Sequence, residues 1–208
     1  MKRIIPYKEV NEAVLSLDNG GRFYNLLTKS NDGIIDQSEL GKVGGLFNDK
    51  QKMILFLEMS MSSLSSEEKE IILSKLDEDL KQTYAKYKSQ KLLPSEANIK
   101  GIIAANAILK GVPKLIDKKS DFNGFIMVPI MAGKAMTFVM IPIIDNYNVY
   151  ELRDEKTSET FLIAHSRNSE KLPSEKIIIA GLLKELKSGK NENSKKIKFL
   201  EANYYISN

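Results

Sequence analysis

Apolar positions along this chain change their period once, near Lys118-Lys119-Ser120-Asp121. Before that point they mostly recur at helical spacing; after it they gather in short runs rich in β-branched residues, separated by polar turns. The pattern divides the chain into a helical domain over 1–118 and an antiparallel β-domain over 119–208. In the first, residues 7–17 predict a helix closed by Asp18-Asn19-Gly20-Gly21, and 22–28 a second, short one. Gly41, Gly44 and Gly45 weaken the next helix, so it requires tertiary support. Asp49 caps a strongly apolar helix carrying Met53, Ile54, Leu55, Phe56, Leu57 and Met59. Ser65-Ser66-Glu67-Glu68 reads as a capping box that opens one long amphipathic helix with Ile72, Leu76, Leu80, Tyr84 and Tyr87 on one stripe. Pro94-Ser95-Glu96 opens another, running through Ile99, Ile102, Ile103 and Ile108 to Gly111.

The second half predicts strands at 125–131, 136–144, 147–153, 160–166, 176–186 and 195–206. Five or six closely spaced strands suit a small antiparallel barrel or sandwich, and the expected fold class is α+β, a helical bundle followed by a small β-barrel. The stretch 125–144 is long enough to cross a bilayer, and Lys134 is its only charge. A charge at that depth costs roughly 2.5–3.5 kcal/mol, and Pro129, Gly133 and Pro142 break a helix. The mirrored runs Val128-Pro129-Ile130 and Met140-Ile141-Pro142-Ile143 instead predict two buried strands around a turn at Ala132-Gly133-Lys134. Met127, Met131, Met136 and Met140 read as adaptable filler in that hairpin. Both of its faces are apolar, so either the helical half or another subunit has to cover it.

Composition narrows the function without naming it. The chain has 208 residues and a formal net charge of +4, from 31 basic and 27 acidic residues. The charges are interspersed, which permits nucleic-acid binding without arguing for it. With no cysteine, thiol nucleophiles, thiolate zinc sites and disulfides are excluded. Pro6, Lys8 and Glu9 interrupt the N-terminal region before an apolar segment develops, so no signal peptide is expected, and the expected location is cytoplasmic, with no membrane partner.

The segment Thr28-Lys29-Ser30-Asn31-Asp32-Gly33-Ile34-Ile35-Asp36-Gln37-Ser38-Glu39 resembles an EF-hand calcium loop aligned on Gly33 as its sixth position. The resemblance implies Thr28, Ser30, Asp32 and Glu39 as side-chain ligands, Ile34 as the carbonyl ligand, and Asp36 as a direct or water-mediated one. Threonine stands where the family has aspartate, and three carboxylates predict low affinity. The loop also reads without metal, with Asn31-Asp32-Gly33 as a turn and Asp36-Gln37-Ser38-Glu39 as a helix cap. Calcium is the one cofactor the sequence suggests.

Over the last 80 to 90 residues, the run 176–186 followed by Ile197-Lys198-Phe199-Leu200-Glu201-Ala202 resembles the later strands of an OB-fold, with Gly181 relieving a tight bend. The loop 168–174 replaces the helix often found between the third and fourth strands. That resemblance implies single-stranded nucleic acid on Tyr147, Tyr150, Arg153, Arg167 and Tyr204, aromatic faces stacking on bases while basic groups follow phosphates. Glu151, Asp154, Glu155 and Glu159 would rim the same groove and repel phosphate, which disfavours it. His165, the single histidine, has no recognisable nucleophile motif beside it and reads as a strand-edge residue. The expectation is a non-enzymatic binding or scaffolding protein with a protein partner or a second copy of itself.

Overall fold

The computed structural model describes residues 1–19, 31–116, 124–132, 135–155, 157, 159–187 and 195–207, with backbone alone at 127–132 and 135–139. The expected helix at 22–28 and the turn at Lys134 lie outside them. The chain divides into two compact units, one of Arg3–Ser89 and one of Met1–Lys2 with Gln90–Asn208.

After a two-residue strand β1 (Lys2–Arg3), the first unit contains α1 (Val10–Leu17), α2 (Gln37–Gly44), α3 (Lys50–Ser60), α4 (Ser66–Ser74) and α5 (Glu78–Tyr87). Its helix starts follow the capping chemistry in the sequence. Asp36 and Glu39 form a capping box on α2, Asp49 accepts from Lys52 N on α3, and Ser65 and Glu68 form a second box on α4. Met53 to Leu57 and Met59 are all buried, which makes α3 the centre of this unit. The long helix expected from Ser65 to Tyr87 is two helices. Ile35 forms an isolated parallel bridge with Leu76, and Asp77 then caps α5 by accepting from Leu80 N.

The second unit contains β2 (Gln90–Lys91), α6 (Pro94–Lys100), β3 (Asn106–Leu115), β4 (Phe125–Ala132), β5 (Ala135–Pro142), α7 (Ile143–Asn146), β6 (Tyr147–Arg153), β7 (Thr160–Ser166), β8 (Ile177–Lys187) and β9 (Lys196–Ser207). The helix expected from Pro94 to Gly111 stops at Lys100, and the chain enters β3. There Ala107 and Leu109 point into the core, while Ile99 and Ile102 of the supposed apolar stripe are exposed. The domain boundary expected between 118 and 119 lies outside the described residues. Residues 90–116 belong to the compact sheet unit because β3 carries two ladders, with β6 and with β8.

The strand order is β1-β9-β7-β6-β3-β8-β4-β5, with β2 parallel to β3 and β8 also paired with β9. The pairings β3–β6, β6–β7, β7–β9, β9–β8 and β8–β3 therefore return to their starting strand. The sheet is mixed rather than antiparallel throughout. β7 and β9 both run opposite to β8, β7 through the antiparallel steps β7–β6, β6–β3 and β3–β8 and β9 directly, so they pair in parallel. A register shift falls between Ala180 and Gly181. A Cβ on Gly181 would lie 2.1 Å from the Glu201 carbonyl oxygen, so only glycine admits β9 at this distance.

Both faces of the sheet are apolar. Leu109, Tyr150, Leu152, Phe161, Ile163, Ile179, Leu183 and Leu200 build one cluster, and Ile143, Ile144, Val149, Ala164, Leu186 and Phe199 another. Alternation along β6 and β7 sends successive side chains into one cluster and then the other. Of the two strands expected in 125–144, the second ends at Pro142, where α7 begins. Among the described residues no helix is long and apolar enough to cross a membrane.

Candidate functional site

The EF-hand-like loop is held by carboxylates that accept from backbone N–H groups. Asp18, buried at the end of α1, accepts from Asn31 N at 2.8 Å and Gly33 N at 2.8 Å. Asp32 accepts from Ile34 N at 2.9 Å. Asp36 accepts from Glu39 N, and the Glu39 carboxylate accepts from Asp36 N, each at 2.9 Å. Thr28 and Ser30 lie outside the described residues, and Ile34 is exposed. Glu39 is buried, and that burial, reinforced by the negative charges of Asp36, Asp18 and Asp32, pushes its pKa up against the opposing hydrogen bond from Asp36 N. Among the described residues, no three carboxylate or imidazole groups are placed to hold a metal ion. The arrangement organises a turn and starts a helix. In sequence Asp18 reads only as a helix stop; the signal for its second role is an acid ahead of a turn whose N–H groups need acceptors.

The five residues expected to contact nucleic acid are not brought together. Tyr150 and Tyr204 are buried. Arg153 and Arg167 are exposed at opposite ends of the β6–β7 ladder, which runs from Arg153↔Thr160 to Tyr147↔Ser166. Tyr147 is half-buried and donates its hydroxyl to Glu201 at 2.7 Å. Burial and the Glu201 charge push its pKa up to about 12, so it remains a protonated donor at neutral pH. Glu201 also pairs with Lys184 at 2.6 Å. The acidic rim is partly dismantled as well. Asp154 is buried and accepts from Ser95 Oγ at 2.6 Å, and Glu155 pairs with Lys176 at 2.5 Å.

His165 is fully enclosed, and both of its nitrogens are engaged. Nδ1 lies 2.9 Å from the Ser166 carbonyl, so it carries the proton. That leaves Nε2 to accept from the Tyr150 hydroxyl at 3.3 Å, while the same hydroxyl accepts from Leu172 N at 3.0 Å. The two rings stack with centroids 5.5 Å apart. Burial lowers the His165 pKa. A neutral, double-tethered imidazole of this kind holds a loop in place.

The loop it holds, 166–172, forms one wall of a cavity of about 320 Å³. Arg167 N donates to Asn146 O, Ser169 N to Ser166 O, and the Met1 nitrogen to Ser169 Oγ. Leu115, Ile116, Ile144 and Val149 form the apolar part of the cavity; Tyr147, Asn148, Arg167, Ser169 and Lys171 supply the polar part. Sequence marks Arg167 for another role, as a phosphate contact, but does not mark Lys171. Nothing local marks a lysine whose neighbour, Leu172, is bound through its N–H to a buried tyrosine. Neither a protein-family model nor a curated protein matches the sequence.

Proposed function

We propose that the chain is a non-enzymatic scaffolding protein whose sheet unit is an OB-like barrel and whose β4–β5 ribbon joins a second copy of the chain by strand addition. The observation that carries this reading is the register of the ribbon. β4 pairs with β8 at Phe125↔Lys187, whereas its pairing with β5 continues from Phe125↔Pro142 to Ala132↔Ala135. β5 ends the strand order, so among the described residues its outer edge carries no ladder. Neither strand contains a charged residue. A two-fold contact between copies of β5 therefore sets no like charges opposite one another, a constraint that applies to isologous contacts in particular.

The closed circuit of five strands and the register shift at Gly181 support the barrel reading. Calcium and oligonucleotide readings draw less support, because Asp36 and Glu39 serve as a helix cap and two of the five nucleic-acid candidates are buried. Sedimentation velocity of the full chain across a concentration series tests the proposal. The expected result is a dimer that Val139→Lys converts to a monomer. A wild-type chain that stays monomeric at its highest soluble concentration overturns it.

A further inference from the structure

We infer that the cavity between α7, the start of β6 and the loop 166–172 binds a small carboxylate with an apolar body. This inference is independent of the ribbon. Three observations carry it. First, the cavity lining combines four apolar residues, Leu115, Ile116, Ile144 and Val149, with two cations, Arg167 and Lys171. That combination matches a molecule that carries both a hydrocarbon group and a negative charge. Second, among the described residues no carboxylate lines the cavity. Of the neighbouring acids, Glu201 is engaged by Tyr147 and Lys184, and Asp145 and Glu170, which adjoin lining residues in sequence, do not line the cavity themselves.

Third, the backbone that carries the two cations is fixed in place. Tyr150, buried in the sheet, accepts from Leu172 N at 3.0 Å, and His165 tethers Ser166 at 2.9 Å. Arg167 N is bound to Asn146 O at 3.0 Å. Backbone tethers on both sides of Arg167 and Lys171 lower the ordering cost of binding. Arg167 supplies a planar fork suited to a carboxylate, and Lys171 a point charge. The apolar lining favours an anion with a hydrocarbon body over inorganic phosphate, which has none.

Calorimetric titration of the full chain with phenylacetate tests the inference, with phenylacetamide as the neutral isostere and inorganic phosphate as the anion without an apolar body. Saturable binding is expected with a Kd of about 1 mM or tighter. The amide and phosphate should each bind about tenfold more weakly. Arg167→Ala and Lys171→Ala should each weaken phenylacetate binding about tenfold without lowering Tm, while Arg153→Ala leaves it unchanged. No saturable heat from phenylacetate, equal binding of acid and amide, or indifference to both substitutions would each overturn the assignment.

Discussion

Ile35 and Leu76 form a parallel bridge that joins the start of α2 to the start of α5. Ile35 N donates to Lys75 O at 2.8 Å, and Asp77 N donates to Ile35 O at 2.9 Å. These bonds interrupt an apolar stripe that would otherwise continue as one helix. Both side chains are buried, so the backbone bonds lie in a low-dielectric setting where losing a partner is costly.

The bridge predicts slow hydrogen exchange at the Ile35 and Asp77 amides. Exchange at Ile34, whose N–H bonds only to an exposed Asp32 side chain, should be fast. Ile35→Ala should cost about 2–5 kcal/mol through the cavity it leaves, and Asp77→Ala about 1 kcal/mol through the lost cap. Equal exchange at all three amides would remove the bridge from the account.

Glu39→Gln separates a cap from a calcium ligand. Glutamine keeps an oxygen for Asp36 N and removes one charge from a group that includes Asp18, Asp32 and Asp36. Because the folded state raises the pKa of Glu39, it binds the proton more tightly than the unfolded chain. The contribution of Glu39 to stability therefore increases as pH falls from neutrality towards its unfolded value of about 4.3. The variant should raise Tm by roughly 2 °C at pH 7, and the gain should shrink on acidification. A calcium-dependent rise in the wild-type Tm that Glu39→Gln abolishes would instead support ligation by the loop.

The His165–Tyr150 pair predicts an acid-sensitive sheet unit. Burial depresses the folded pKa of His165, so the stability it contributes is fully present above its unfolded pKa of about 6.5. That contribution is lost as pH falls through the folded pKa. The urea midpoint should therefore fall below about pH 6.5, and His165→Gln should flatten that dependence. Tyr150→Phe leaves both Leu172 N and His165 Nε2 without their partner and should cost about 1–3 kcal/mol. A wild-type unfolding midpoint that stays level between pH 7 and pH 5 would count against the buried neutral imidazole.

The closed pairing circuit sets where the chain can be cut. A fragment over 90–208 retains all five strands of the circuit and should unfold cooperatively in chemical denaturation. A fragment over 120–208 lacks β3, which pairs with both β6 and β8, and should show no cooperative transition. Cooperative folding of the shorter fragment would show that β3 is dispensable.

Much of this architecture is local enough to read from residue order. The starts of α2, α3 and α4 depend on side chains that reach only three residues along, at Asp36–Glu39, Asp49–Lys52 and Ser65–Glu68. β6 and β7 end where they were expected, at 153 and 166, because turn residues bound each apolar run. β3 was illegible. Ile99, Ile102 and Ile103 mimic a helical stripe yet end up exposed. Gly111, which reads as a helix stop, lies within a strand, where a Cβ would fall 2.4 Å from Arg153 O.

The candidate site was legible only as separate residues. Arg167 and His165 could be picked out, but their relation depends on Tyr150 and Leu172, which meet across the sheet. Asp18 likewise meets Asn31 and Gly33 only once the loop has closed. Capping, turns and strand periodicity are short-range, and the sequence alone determined them. The bridge that divides α4 from α5, the parallel β7–β9 pairing and the basic wall of the cavity join distant segments. Their partners are set by which buried backbone groups must be satisfied after collapse, so tertiary structure alone decided them.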